Sequence, residues 1–192
     1  MSHGSSLRIV CLAGPSGSGK TTLVEALVPE LANHGRVATV KSIHHDIEID
    51  TPGTDTHRHR TAGAETVVGV TPELTFDIST CGKRDPPDAP EGSVIFGTDN
   101  ADANDSELQA LAGTLARLER RGYAFVVVEG FSAAPLPTIL VGDRDPSAVG
   151  GDIVGRGSDS VDDLVATIRS LEPVSVRERS DDESIEHDEQ ER

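Results

Sequence analysis

A chain of 192 residues with 35% hydrophobic and 3% aromatic content has room for one core, built from Val, Leu, Ile and Ala rather than from rings. Its formal net charge of -16 argues against nucleic acid as a partner, because sequence-independent binding needs cations that displace counterions from phosphates. No stretch is apolar enough to cross a membrane, the opening MSHGSS lacks the features of a signal peptide, and the two cysteines, Cys11 and Cys81, show no framework spacing, so a cytoplasmic protein without membrane contact is expected.

Lysine occurs only at Lys20, Lys41 and Lys83, and the remaining cations are arginines. An acid-rich, lysine-poor surface of this kind resembles that of halophilic proteins, whose carboxylates hold water when salt screens their repulsion.

In chain order, Leu7 to Ala13 is a short apolar run ending at Gly14, as a buried strand entering a tight loop should be. Leu23, Ala26, Leu27 and Leu31 recur at helical spacing from about Gly19 to Asn33, with Pro29 as an irregularity. Arg36 to Ile43 is a second strand. Residues 44 to 56 form a polar loop, followed by a short helix through Ala64 capped by Asp55 or Thr56. Glu65 to Val70 and Glu73 to Ser79 flank a Thr71-Pro72 turn, which predicts a hairpin attached to the main sheet.

Residues 80 to 92 are too rich in Pro, Gly and charge for regular structure, and Ser93 to Phe96 is a candidate edge strand. Asn104 or Asp105 caps a helix to Arg121 with Leu108, Leu111, Leu115 and Leu118 on one stripe. Tyr123 to Val128 is the clearest buried strand, ended by Glu129-Gly130, and Thr138 to Val141 is another. Ser158 or Asp159 caps a last helix carrying Leu164, Ile168 and Leu171. The expected division is a flexible stretch at 1–6, a single domain at 7–171 and an acidic tail at 172–192 that buries too little surface to offset its ordering entropy.

The pattern G-x-x-x-x-G-K-[ST] is met in full by Gly14, Gly19, Lys20 and Thr21, with a strand before it and a helix after it. Gly14, Pro15, Ser16, Gly17, Ser18, Gly19, Lys20, Thr21 and Thr22 thus form a candidate phosphate loop. Its N–H groups and the positive end of the helix face phosphate oxygens, Lys20 bridges the outer phosphates and the Thr21 hydroxyl ligates Mg2+. Such a site needs a carboxylate at the end of a neighbouring strand. Glu129 is placed there, as a metal-holding and catalytic residue with Lys20; Asp46, Asp50 and Asp77 are weaker candidates. The fold class expected is α/β: a three-layer P-loop NTPase fold with a mostly parallel sheet and a β-hairpin extension.

Three further stretches, KSIHHD at 41–46, DTHRHRTAGA at 55–64 and VVVEGF at 126–131, join the phosphate loop in order and at similar separations to give a close resemblance to the molybdopterin-guanine dinucleotide biosynthesis protein B (MobB) family, over roughly residues 7 to 171. The resemblance implies a GTP-binding adapter with weak GTPase activity, usually a homodimer. Such proteins assist the molybdenum cofactor guanylyltransferase that joins a guanosine monophosphate unit to molybdopterin. It also implies GTP and Mg2+ as cofactors, molybdopterin or its guanine dinucleotide as a partner, phosphate binding by residues 14 to 21, a metal or water role for Glu129, and an Arg-rich segment containing Arg58 and Arg60. Ser132 departs from the family, which commonly has a lysine after Glu-Gly-Phe.

His57, Arg58, His59 and Arg60 concentrate positive charge on an acidic chain, which suits either an anionic ligand or balance by neighbouring acids. His44, His45 and Asp46 invite a metal-site reading, although adjacent side chains tend to point apart. The N-K-x-D guanine signature is absent. Asp145, the acid that Gly142-Asp143-Arg144-Asp145 retains, either receives the guanine N1 and N2 hydrogens or caps a turn, so GTP preference rests on the resemblance. Two alternatives stand beside the adapter: a small-molecule kinase, whose arginine-bearing lid would have to lie in the 80–92 loop, and a metal-insertion GTPase using His44, His45, His57 or His59.

Overall fold

The computed structural model describes residues 7–87, 93 and 105–176. Arg8–Ala13 (β1) and Phe125–Glu129 (β5) are continuous apolar runs because both faces of the sheet are covered; all but one residue of each is buried. They pair in parallel, Val10 against Val127 and Leu12 against Glu129. Val37–Lys41 (β2) lies parallel on the far side of β5, while Thr138–Leu140 (β6) and Ile153–Arg156 (β7) extend the sheet beyond β1. The order is β2-β5-β1-β6-β7, and every pairing is parallel.

Helices cover both faces. Lys20–Ala32 (α1) and Val161–Ser170 (α4) lay Leu23, Leu27, Leu31, Leu164 and Ile168 on Val10, Leu12, Val127 and Ile139. Ser106–Arg120 (α3) lays Leu108, Leu111 and Leu115 on Ile9, Cys11, Val126 and Val128. Each fully buried leucine stabilises this arrangement by about 1.5–3 kcal/mol relative to an exposed one. The expected three-layer α/β architecture with a mostly parallel sheet is the one observed.

Several expectations change. The hairpin forms as Thr66–Val70 (β3) and Thr75–Ser79 (β4), paired antiparallel, but it makes a two-stranded sheet of its own instead of joining the main one. It is tied down by side chains: Asp77 on β4 accepts from Arg117 and Arg121 at the end of α3. The short helix is Asp55–Thr61 (α2), with Thr54 rather than Asp55 or Thr56 at its cap position. Helix α1 runs on through Pro29. Asp105 caps α3 by accepting from the N–H groups of Glu107 and Leu108; Asn104 lies outside the described residues, as do residues 94–96 of the candidate edge strand.

Strand β7 was not expected from the sequence. It is a half-exposed edge with a glycine in it, so the apolar run that betrays a buried strand is missing. Helix α4 is capped by Ser160, not by Ser158 or Asp159, because the Asp159 carboxylate is already accepting the Arg156 N–H at 2.7 Å to close the preceding turn. Beyond Leu171 the chain stays docked: Val174 and Leu7 exchange two backbone hydrogen bonds of 2.8 Å, and Val176 is fully buried. Packed structure therefore continues past the expected boundary at 172, as far as Val176; residues 177–192 lie outside those described.

Candidate nucleotide site

Strand β1 delivers the chain to the carboxyl edge of the sheet, between β5 and β6, and residues 14 to 19 turn it back into α1. Two glycines have different reasons to be there. A Cβ on Gly14 would overlap the Val141 carbonyl oxygen and sit 2.8 Å from Ser18 Oγ, whereas Gly19, at the N-cap of α1, has φ of 96°, in the left-handed region. No side chain caps α1, in contrast to Asp105 on α3 and Ser160 on α4, so its first N–H groups are left for another acceptor. Lys20 Nζ donates to the carbonyls of Gly14 at 2.8 Å and Pro15 at 2.7 Å, folded onto the loop's own oxygens. Thr21 and Thr22 are exposed on the first turn.

Strand β5 brings Glu129 beside this turn. Its Oε2 accepts from Thr21 Oγ1 at 3.4 Å and its Oε1 from Lys41 Nζ at 2.9 Å. Lys41 ends β2 and is the register partner of Glu129 across the two strands. The hydroxyl and carboxylate oxygens here are hard donors of the kind Mg2+ takes, so Thr21 and Glu129 fit the ion that the motif implies. Immediately after Glu129 the chain turns through Gly130 (φ 90°) and Phe131 (φ 52°), the one non-glycine residue with positive φ among those described.

A cavity of about 510 Å³ opens over this edge, lined by Gly14, Ser16, Lys20, Lys41, Ser42, His44, His45, Glu107, Glu129, Phe131, Ser132 and Arg144 among others. Sequence reasoning missed Lys41, Ser42, Lys83 and Glu107 as a group. Lys83 Nζ lies 2.6 Å from both Ser42 Oγ and Glu107 Oε1, and 5.2 Å from the centre of the Phe131 ring. Burial alone would raise the Glu107 pKa, but the hydrogen bonds from Lys83 and Ser42 outweigh it and hold the carboxyl below its ordinary range. These residues come from three separate segments, and the only local signal was the rarity of lysine. A second hollow of about 720 Å³ adjoins the first; it shares Lys41, His44, His45, Glu107 and Phe131 and adds Ile47, Ile49, Cys81, Lys83 and Arg84.

Other candidates are engaged by partners within the chain, and of these Asp46 lines the second hollow. Arg58 and Arg60 on α2 do not line either hollow. Arg60 pairs with Glu48 at 2.5 Å and Arg58 with Asp55 at 3.7 Å, a pattern of acids balancing the basic segment. Asp46 pairs with Arg84 and Asp77 with two arginines of the α3 end, while Asp50 accepts from Thr54 and Thr56. Asp145 caps a 3-10 turn at Pro146–Ala148, accepting from the Ser147 N–H and hydroxyl, bonds that hold its pKa down. Its neighbour Arg144 reaches the cavity and donates to Ser132 Oγ at 3.0 Å. Among the described residues no three His, Cys, Asp or Glu side chains cluster as a metal-insertion site would require.

Comparison with known proteins agrees with this geometry. The profile of the family described as Molybdopterin guanine dinucleotide synthesis protein B matches residues 9–89. A molybdopterin-guanine dinucleotide biosynthesis adapter protein of Haemophilus influenzae is 34% identical over 131 residues, covering 68% of this chain and 60% of that protein. The Escherichia coli adapter protein is 31% identical over 147 residues, covering 76% and 78%. Among solved structures, that of Bacillus subtilis MobB is 18% identical with a TM-score of 0.55, covering 85% of this chain and 99% of that one. A structure of molybdopterin-guanine biosynthesis protein B is 24% identical, also at 0.55, covering 84% and 97%. These two structural likenesses speak for the fold, and the sequence relatives for descent. A P-loop at the switch of a parallel sheet, with Glu129 facing Thr21, thus sits in a chain that belongs to the molybdopterin-guanine dinucleotide biosynthesis protein B family.

Proposed function

We propose that this chain is a GTP-binding adapter in molybdopterin guanine dinucleotide biosynthesis, a weak GTPase whose bound state signals to a partner. The observation that carries the nucleotide part is the meeting of Thr21 and Glu129, from α1 and β5, next to the cavity that Lys20 and Glu129 line. Residues 14 to 22 hold the phosphates, Thr21 and Glu129 hold Mg2+, and Glu129 orients the attacking water while Lys20 offsets charge on the outer phosphates. When bound, Mg2+ supplies neutralisation of the phosphate oxygens.

Guanine preference follows the family, since Asp145 is engaged by Ser147. The adapter role is supported by the sequence relatives, which are molybdopterin-guanine dinucleotide biosynthesis adapter proteins, and the guanylyltransferase is the partner that the family resemblance implies. The second hollow, with Lys83, Arg84, His44 and His45 at its walls and Ile47 and Ile49 within it, supports a place for the pterin phosphate beside the nucleotide. Exposed Val68, Val70 and Leu74 on the hairpin support a homodimer interface. A cytoplasmic location suits a chain in which no described helix is long and apolar enough to cross a membrane.

The test is calorimetric titration of GTP and ATP with Mg2+, in high salt, on the wild type and on Lys20→Ala. Selective GTP binding that Lys20→Ala abolishes is the expected result. A preference for ATP would overturn the guanine assignment and bring the kinase reading forward.

A further inference from the structure

The chain has three lysines, and all three converge on one place. Lys20 and Lys41 line the cavity, and Lys83 is bonded to Ser42 and Glu107, which line it too. Everywhere else the chain uses arginine for positive charge. A lysine is a compact ammonium on a flexible stem, suited to changing partners, whereas the guanidinium fork suits fixed planar pairs. Lys20 and Lys83 each have two oxygen partners, but Lys41 has one, Glu129, and its side chain is 55% exposed against 15% for the carboxylate.

We propose that Lys41 senses the terminal phosphate of a bound nucleoside triphosphate, exchanging its ion pair with Glu129 for that phosphate and so distinguishing triphosphate from diphosphate. The inference rests on the nucleotide reading above. Glu129 is shared between Lys41 on one oxygen and Thr21 on the other. A divalent cation held by Thr21 and Glu129 would claim the carboxylate's charge and weaken its attraction for the ammonium. Lys41 is then a cation at the cavity wall in need of an anion, and the outermost phosphate is the group whose charge differs most between the two nucleotide states.

Lys41 ends β2, after which the chain leaves the sheet at Ser42 toward residues 43–49 and the second hollow. Movement of its side chain is therefore felt where that excursion begins. This gives the site a means of reporting the state of the nucleotide to the surface beyond.

The experiment compares calorimetric affinities for the non-hydrolysable imido analogue of GTP and for GDP, both with Mg2+, in the wild type, Lys41→Met and Lys41→Arg. Loss of one charge-assisted hydrogen bond weakens triphosphate binding about tenfold in Lys41→Met and leaves GDP affinity within about twofold, while Lys41→Arg, which keeps the charge but not the compact ammonium, recovers it in part. Equal weakening for both nucleotides, or none for either, would overturn the assignment and leave the nucleotide reading standing. A wild type that binds neither nucleotide would overturn both. Unchanged thermal melting of Lys41→Met without nucleotide separates lost recognition from a damaged fold.

Discussion

Glu119 Oε2 accepts the backbone N–H of Val176 at 3.2 Å, while Oε1 of the same carboxylate accepts the Ser175 hydroxyl at 2.9 Å. Glu119 is 1% exposed, so these bonds compensate a buried acid at the same time as they fix the last described residues against α3. Glu119→Ala removes the acceptor and leaves the Val176 N–H buried without it, a loss of about 1–3 kcal/mol. In the same way a chain ending at Leu171 should melt lower than one ending at Val176, because Val174 pairs with Leu7 and Val176 fills the core. Equal melting temperatures for the two truncations would remove the structural role assigned to 172–176.

Asp77 gives the hairpin its pH dependence. The hydrogen bond from Arg121, then the charge of Arg117, pull its pKa below the ordinary 3.8 against the opposing effect of burial. The folded state thus binds the proton less readily than the unfolded one. The contribution of the pair is complete above the unfolded value and is lost as pH falls through the lowered folded value. Melting of the wild type between about pH 5 and about pH 2 should show a component that is flat in Asp77→Asn, a variant already weakened at neutral pH.

The two thiols should differ in reactivity. Burial pushes the Cys11 pKa up to about 12, and its thiol donates to the Gly130 carbonyl at 3.0 Å; Cys81 is partly exposed. A disulfide reagent at neutral pH should consume one thiol per native chain, assigned to Cys81 by mass spectrometry, and the second only on unfolding. Rapid modification of Cys11 in the native protein would show that the centre of the sheet at β1 and β5 opens readily.

Gly14→Ala should separate two kinds of glycine. Its Cβ meets backbone at Val141, which cannot swing away as a side chain could, so about 1–3 kcal/mol of stability is lost along with nucleotide affinity. Gly17→Ala meets no atom within 4 Å and carries only the strain of φ 75°. The readouts are the melting temperature and the GTP titration for each variant; a greater loss of stability in Gly17→Ala than in Gly14→Ala would reverse the ranking.

What could be read beforehand follows the range of the physics involved. The phosphate loop and β5 are legible because glycine spacing and an unbroken Val run are local signals. Strand β7 is not, since Ile153 and Arg156 are exposed and its pairing with β6 is settled by distant chain. The position of Glu129 is legible as the end of a strand, but the lysine beside it is not, because Lys41 and Glu129 meet only through the register of β2 on β5. Asp145 could be read two ways from sequence; its bonds to Ser147 are those of a turn cap.

Ser42 marks where the chain departs from the sheet and Glu107 where it returns in α3, and Lys83, from within the excursion between them, touches both. The Ser42 hydroxyl also donates to the Glu107 carboxylate at 2.8 Å, so three side chains together close the neck of a long excursion. The entropy lost in closing a flexible loop grows only with the logarithm of its length, about 0.6 kcal/mol for each doubling. With its base fastened next to the cavity and its hairpin tied to the end of α3 through Asp77, the loops between these two anchors can change length at little cost to the phosphate-binding edge.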